Sequence, residues 1–274
     1  MALSKDQING VEEVLKASLR NKFQNYKPEP ASMPFHTRLL GKDRLALYSF
    51  IHSLNTNFGT SIFEPVGLTV AQKNFKIATA QSIVGDHISS ESQKIIQKII
   101  DGLNTAETSP DKEKETEVIR KVCQKGNMLK VKPTKVDLMI ESKGGEYFLF
   151  DIKTAKPNAG SFKEFKRTLL EWVAVFFANK PYAKINTLIA IPYNPYEPEK
   201  YNRWTMRGML DLDKELVVAD EFWDFLGGKN TYQDLLGCFE LLGINFLDRN
   251  TSVVSSTTRT GWRGTLKIIL PRMD

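Results

Sequence analysis

The feature that most constrains this chain is a pair of short β-patterned segments closed by two glycines. KVDLMIES (135–142) and YFLFDIK (147–153) flank the turn KGGE, and a Gly-Gly pair supplies the positive φ angles that a tight hairpin needs. Two strands alone bury too little apolar surface to stand in water. The next segments complete the unit. SFKEFKRTLLEWVAVFFAN (161–179) places Phe162, Phe165, Leu169, Trp172, Val173 and Phe176 at helical spacing behind Ser161, a residue suited to capping. TLIAIPY (187–193) is then a continuous apolar run of the kind buried on both faces of a sheet. Hairpin, helix and strand in this order predict an α/β fold, with a mixed central sheet flanked by helices and the third strand returning after a crossover.

The first hundred residues carry helical patterning. Ser4 is placed to cap a helix with Ile8, Val11, Leu15, Leu19 and Phe23 on one side, and three prolines in KPEPASMP (27–34) end it. Further helices are expected over Lys42 to Leu54, after Gly59, and from Ser89 or Ser90, the last carrying Ile95, Ile96, Ile99, Ile100 and Leu103. The polar stretch 104–117 reads as an exposed loop running into a short helix, or as a linker. The expected division is a mainly helical region over 1–119, suited to dimerisation, and an α/β core with C-terminal segments over 120–274. In the latter, 221–226 and 231–247 read as helices and TLKIILP (265–271) as a late strand.

Charge is distributed unevenly. The chain of 274 residues has a net charge of +6, yet residues 120–207 hold 17 basic against 8 acidic side chains, net +9. Residues 208–248 hold 2 against 9, net −7. Concentrated positive charge beside the hairpin suits a polyanion, or else forms a solvated basic face; the acidic segment is expected to face away from any polyanion. No apolar run is long enough to cross a bilayer and the N-terminus lacks the apolar core of a signal peptide, so the cytoplasm is the expected location, with no membrane association. Two cysteines, Cys123 and Cys238, and three histidines without ligand spacing exclude a disulfide scaffold and a zinc cluster.

Within the hairpin, Asp137 lies on the first strand, Asp151 near the end of the second, and Lys153 two residues later. Side chains alternate along a strand, so Asp151 and Lys153 share a face, and the hairpin can bring Asp137 beside them. Burying such groups costs several kcal/mol each unless they pair or bind a metal. Two readings follow: a strand-end salt bridge, or a centre built from two carboxylates and an ammonium.

This arrangement, Asp137 followed by Asp151-Ile152-Lys153 in that structural context, resembles the PD-(D/E)XK nucleases, although Val136 stands where the motif has proline. Beyond the core, NFGTSIFE (57–64), the hairpin itself, YNRWTMRG (201–208) and VVADEFWDFLGG (217–228) are similar to type II restriction endonucleases, most of all to the TdeIII-like group. The resemblance implies a PD-(D/E)XK restriction-endonuclease-like core and Mg²⁺-dependent, site-specific hydrolysis of double-stranded DNA at a short G/C-rich (pseudo)palindrome such as a GGNCC-type core. It also implies a homodimer and functional pairing with a DNA methyltransferase. A repair or structure-specific nuclease of the same fold, and a DNA-binding protein without catalysis, are the alternatives.

The implied catalytic residues are Asp137, Asp151 and Lys153. Metal ligands would be Asp137, Asp151 and the main-chain carbonyl of Ile152, joined by Glu64, which falls where many of these nucleases carry an acid on an N-terminal helix. Oxygen donors of this kind suit Mg²⁺, with Lys153 adding charge beside the attacking water. Candidates for DNA contact are Lys156, Asn158 and Lys163 beyond the second strand, and Asn194, Tyr196, Asn202, Arg203 and Arg207 beyond the third. The basic tail with Arg259, Arg263 and Arg272 could reach a DNA backbone or a partner subunit.

Overall fold

The computed structural model describes residues 2–26, 33–133, 135–153, 155–157, 159–202 and 206–251. They divide into two compact units, one of residues 1–66 with 230 onward and one of residues 67–229.

The first unit is helical. Ser4 opens α1 (Lys5–Asn25) with a reciprocal capping box to Gln7, and Val11 and Leu15 are fully buried. The side chain of Phe23 lies outside the described residues, as does most of the proline-rich stretch. After α2 (Pro34–Leu40), α3 (Lys42–Asn57) passes through a π-helical turn (58–63) directly into α4 (Glu64–Ala71). The chain therefore does not restart at Gly59 as expected; the helix continues across it with a wider turn. The long α9 (Thr231–Thr251) packs on α1, and Asp234 Oδ2 accepts the N–H groups of Ala2 and Leu3 at 2.7 and 3.0 Å.

The second unit holds a five-stranded sheet of β1 (Ile77–Ile83), β4 (Lys135–Glu141), β5 (Glu146–Ile152), β6 (Lys184–Ile191) and β7 (Leu216–Val218), in that spatial order. β1–β4 and β4–β5 pair antiparallel, β5–β6 and β6–β7 parallel, so the sheet is mixed and the hairpin sits inside it. A small ladder of β2 (His87–Ser89) and β3 (Met128–Lys130) stands apart.

Helix α7 (Phe162–Asn179) makes the crossover from β5 to β6 and covers one face, with Phe176 4.8 Å from Tyr147. Helix α8 (Asp220–Gly227) covers the other, where Phe225 meets Phe148 at 4.8 Å and Phe222 meets Phe150 at 5.3 Å. On that face Gly67, which belongs to this unit, also lies close: a Cβ there would stand 3.3 Å from Leu138 Cδ2. Val136, Leu138 and Ile140 fill this side completely, which leaves Asp137 and Asp151 to the α7 side.

Helices α5 (Ser90–Asn104) and α6 (Lys112–Arg120) pack against α7. Residues 119 and 120 thus fall inside the second unit, away from a boundary between units. β1 and β2 lie in a region expected to be mainly helical: IATAQSI is too short and too rich in small residues to announce a strand, and its pairing with β4 is what makes it one. Ser161 differs as well. Its backbone is already helical and its side chain makes no cap bond, so α7 starts from the short 3₁₀ turn 159–161. The expected strand at 265–271 and the basic tail lie outside the described residues.

Between these helices lie four nearly inaccessible charges. Lys166 of α7 meets Glu115 of α6 and, at 2.7 Å, Glu215 ahead of β7; Lys112 meets Glu215 at 3.4 Å and the Thr187 hydroxyl of β6. Two buried cations and two buried anions cancel, which is the condition under which buried charge is tolerated. Burial nonetheless pushes the Lys112 ammonium down and the Glu115 carboxyl up from their ordinary ranges. A cavity of about 610 Å³ lies by α5 and α7, lined by Ile88, Ile96, Arg167, Glu171 and Val175 among others. Burial raises the Glu171 carboxyl there, against the pull of Arg167. Both cysteines are free and buried. Among the described residues no helix is long and apolar enough to cross a membrane.

Candidate active site

Three strands deliver the site. β5 carries Asp151 to the end of its apolar run, where the residue is 6% exposed, and Lys153 follows just past the strand. The Lys153 N–H donates to the Ala190 carbonyl at 2.9 Å, which extends the β5–β6 register far enough to fix where its side chain leaves. Lys153 Nζ then lies 2.5 Å from Asp151 Oδ1 and 5.1 Å from the centre of the Phe165 ring on α7. The ammonium is thus held between a carboxylate and an aromatic face, partly open to solvent.

Asp137 reaches the same place from β4. The β4–β5 ladder runs from Glu141↔Tyr147 to Leu138↔Phe150 and stops. One step further the register would set Asp137 opposite Asp151. There the Ile152 N–H donates to Asp137 Oδ2 at 2.8 Å, so a side chain takes the main-chain donor. On the other side of β4, the ladder with β1 pairs Ala80↔Leu138 and Ser82↔Val136 but skips Gln81 and Asp137. Gln81 has a φ of 53°, and its Nε2 donates to Asp137 Oδ1 at 3.3 Å. Both ladders that border β4 therefore omit Asp137.

Asp137, Asp151 and Lys153 thus share one face of the sheet, at the carboxyl end of the parallel strands β5 and β6, where open α/β sheets place ligands. The Asp151–Lys153 ion pair of the salt-bridge reading is present, and Asp137 is bonded to Ile152 between them. The donors are hard oxygens: two carboxylates and the Ile152 carbonyl. Among the described residues no cluster of three or more His, Cys, Asp and Glu could hold a metal. A cation bound here would take two carboxylates and complete its shell with carbonyl and water, which fits Mg²⁺ and does not fit zinc. Glu64, the further ligand suggested by sequence, opens α4 in the helical unit and is 4% exposed.

The residues singled out for DNA contact differ in their surroundings. Lys156 is exposed in the loop after β5, with Nζ 5.2 Å from the centre of the Tyr196 ring beyond β6; the Tyr201 hydroxyl donates to the Ala155 carbonyl at 3.0 Å. These bonds join the two loops that rise from the carboxyl ends of β5 and β6. Lys163 lies on the first turn of α7, and Asn202 and Arg207 are exposed. Asn194 is engaged in its own loop: Nδ2 donates to the Glu199 carbonyl at 2.7 Å and Oδ1 accepts the Tyr196 N–H at 3.0 Å. Asn158 and Arg203 lie outside the described residues. Sequence reasoning missed Gln81, for nothing in IATAQSI marks a positive φ.

Residues 3–243 match the family described as Type II restriction endonuclease, HinfI. The chain is 28% identical over 271 residues to the Type II restriction enzyme MjaII of Methanocaldococcus jannaschii, covering 86% of this chain and 70% of that protein. It is 24% identical over 238 residues to the Type II restriction enzyme HgiBI of Herpetosiphon aurantiacus, covering 83% of this chain and 85% of the relative. The HgiEI enzyme of the same organism is 24% identical over 215 residues, covering 77% of each chain.

Proposed function

We propose that this chain, which belongs to the HinfI family of type II restriction endonucleases, cuts both strands of double-stranded DNA with Asp137, Asp151 and Lys153 as its catalytic residues and Mg²⁺ as its cofactor. That it is a site-specific endonuclease follows from the family. The assignment of residues rests on one observation: Asp137, which both neighbouring ladders skip, is bonded to the residue between Asp151 and Lys153.

Hydrolysis forms a bond from a water oxygen to phosphorus and breaks the bond from phosphorus to a sugar oxygen, with a proton lost at the first and gained at the second. A divalent cation, when bound, stabilises charge on the phosphoryl oxygens and lowers the pKa of water. Asp137 and Asp151 would hold it, with the Ile152 carbonyl. Lys153 lies 2.5 Å from Asp151, where its ammonium can turn toward the scissile phosphate and orient the attacking water once the carboxylate is otherwise engaged. The loops carrying Lys156 and Tyr196, with Lys163, position the duplex through phosphates, and Asn202 and Arg207 are placed to reach it. A twofold dimer, each copy cutting one strand, reads a (pseudo)palindrome most simply. The similarity to the TdeIII-like group points to a GGNCC-type core, with the enzyme working in the cytoplasm beside a methyltransferase that protects host sites.

Digestion of a sequenced plasmid with Mg²⁺, followed by run-off sequencing of the ends, tests this reading. Discrete fragments ending at one short G/C-rich sequence support it. Structure-dependent nicking without a sequence rule would assign the chain a repair-type role instead.

A further inference from the structure

We infer that Gln81 is a positioning residue of the catalytic centre, holding the Asp137 carboxylate in the orientation in which it takes the divalent cation. The inference rests on the reading of Asp137 and Asp151 as the cation's ligands.

Gln81 stands inside β1, with paired residues on both sides: Ala80↔Leu138 precedes it and Ser82↔Val136 follows. Its φ of 53° is one that glycine adopts freely and that crowds the Cβ of any other residue. The departure from strand geometry is confined to the step facing Asp137. There the side-chain Nε2 donates to Asp137 Oδ1 at 3.3 Å, while Oδ2 accepts the Ile152 N–H at 2.8 Å. The carboxylate is therefore gripped at both oxygens, by a donor from the strand on each side. Such a grip fixes rotation about the Cβ–Cγ bond, and with it the direction in which the carboxylate oxygens face.

The chemistry of the amide matters. A carboxylate at position 81 would repel Asp137, and an ammonium or guanidinium would neutralise the charge that the cation requires. A neutral donor does neither. Strained backbone beside a functional carboxylate, held by that carboxylate's own hydrogen bond, accords with strain being concentrated where geometry is critical.

Gln81→Gly removes the amide while accepting the same backbone conformation, so it separates positioning from folding. Three quantities are measured: thermal stability, Mn²⁺ affinity of the DNA-free protein by titration calorimetry, and single-turnover cleavage against Mg²⁺ concentration. The expected result is a melting temperature equal to or above wild type, Mn²⁺ affinity weakened about 10-fold, and the Mg²⁺ concentration for half-maximal rate raised by a similar factor. Wild-type Mn²⁺ affinity and Mg²⁺ dependence would overturn the inference. If the glycine variant folds poorly, Gln81→Met, of similar length but without a donor, carries the same test. Asp137→Ala in the same series separates the two claims: if it binds Mn²⁺ and cuts like wild type, the ligand assignment falls; if it loses both while Gln81→Gly does not, only the positioning role falls.

Discussion

The main-chain N–H of Ile152 donates to Oδ2 of Asp137 at 2.8 Å, at the point where the β4–β5 ladder ends. A donor that would otherwise face the main chain of β4 is taken by a carboxylate, so Asp137 is tied to the residue between Asp151 and Lys153. Two sequence positions 15 apart are fixed to each other by one hydrogen bond. The tie brings the candidate residues of both strands together.

Lys153 is predicted to act on the chemical step. Lys153→Met keeps the length of the side chain and removes its charge. Its single-turnover cleavage rate should fall at least ~100-fold, with duplex affinity in Ca²⁺ changed little. Parallel losses in rate and affinity would make Lys153 a binding residue instead.

Lys156 is predicted to contact phosphate. It is exposed at the carboxyl end of β5, above the Tyr196 ring. Lys156→Ala should weaken binding to specific and non-specific duplexes alike and lower the magnitude of the salt slope, log K against log salt, by about 0.9. A loss confined to the specific duplex would mark it as a base reader.

The buried charges between α6, α7 and β7 predict a stability effect away from the site. Lys166 is fully buried against Glu115 and Glu215. Lys166→Met leaves those carboxylates with Lys112 alone, and denaturant unfolding should show a loss of about 3–5 kcal/mol. Adding Glu115→Gln should recover part of it, because the two positions share one network.

Glu171 predicts a pH dependence with a defined sign. Burial raises its carboxyl in the folded chain, with Arg167 opposing, so the ionised form costs the fold stability. That contribution is fully favourable below the unfolded carboxyl range and is lost as pH rises through the raised folded value. Glu171→Gln, which stays neutral, should match wild type in melting temperature near pH 4 and exceed it at pH 7 to 8 (roughly, from the ordinary carboxylate range). Equal melting temperatures at both ends would show that burial does not raise the Glu171 carboxyl.

The hairpin, α7 and β6 could be read from sequence because each is specified locally: two glycines mark the turn, a 3.6-residue period the helix, and an unbroken apolar run the buried strand. Asp137, Asp151 and Lys153 were visible for the same reason, since strand alternation puts them on one face. What escaped depends on partners distant in the chain. β1 is a strand because β4 pairs with it. Gln81 has its positive φ at the step that the ladder skips, and no residue pattern marks that step. Lys112 and Glu115 sit in DKEKETE, which has the composition of a solvated helix; only the approach of Lys166 and Glu215 reveals that they are buried. Lys112 cannot signal burial when its partners lie 75 and 103 residues away.

The most direct test compares wild type with Asp137→Asn on one supercoiled plasmid, with Mg²⁺ and with chelator, alongside duplex binding in Ca²⁺. Asparagine keeps an oxygen that accepts the Ile152 N–H but lacks the charge that holds a cation. The expected result is discrete fragments from wild type with Mg²⁺, none with chelator, and a folded, DNA-binding Asp137→Asn that leaves the plasmid intact. Discrete fragments from Asp137→Asn at the wild-type rate would contradict it.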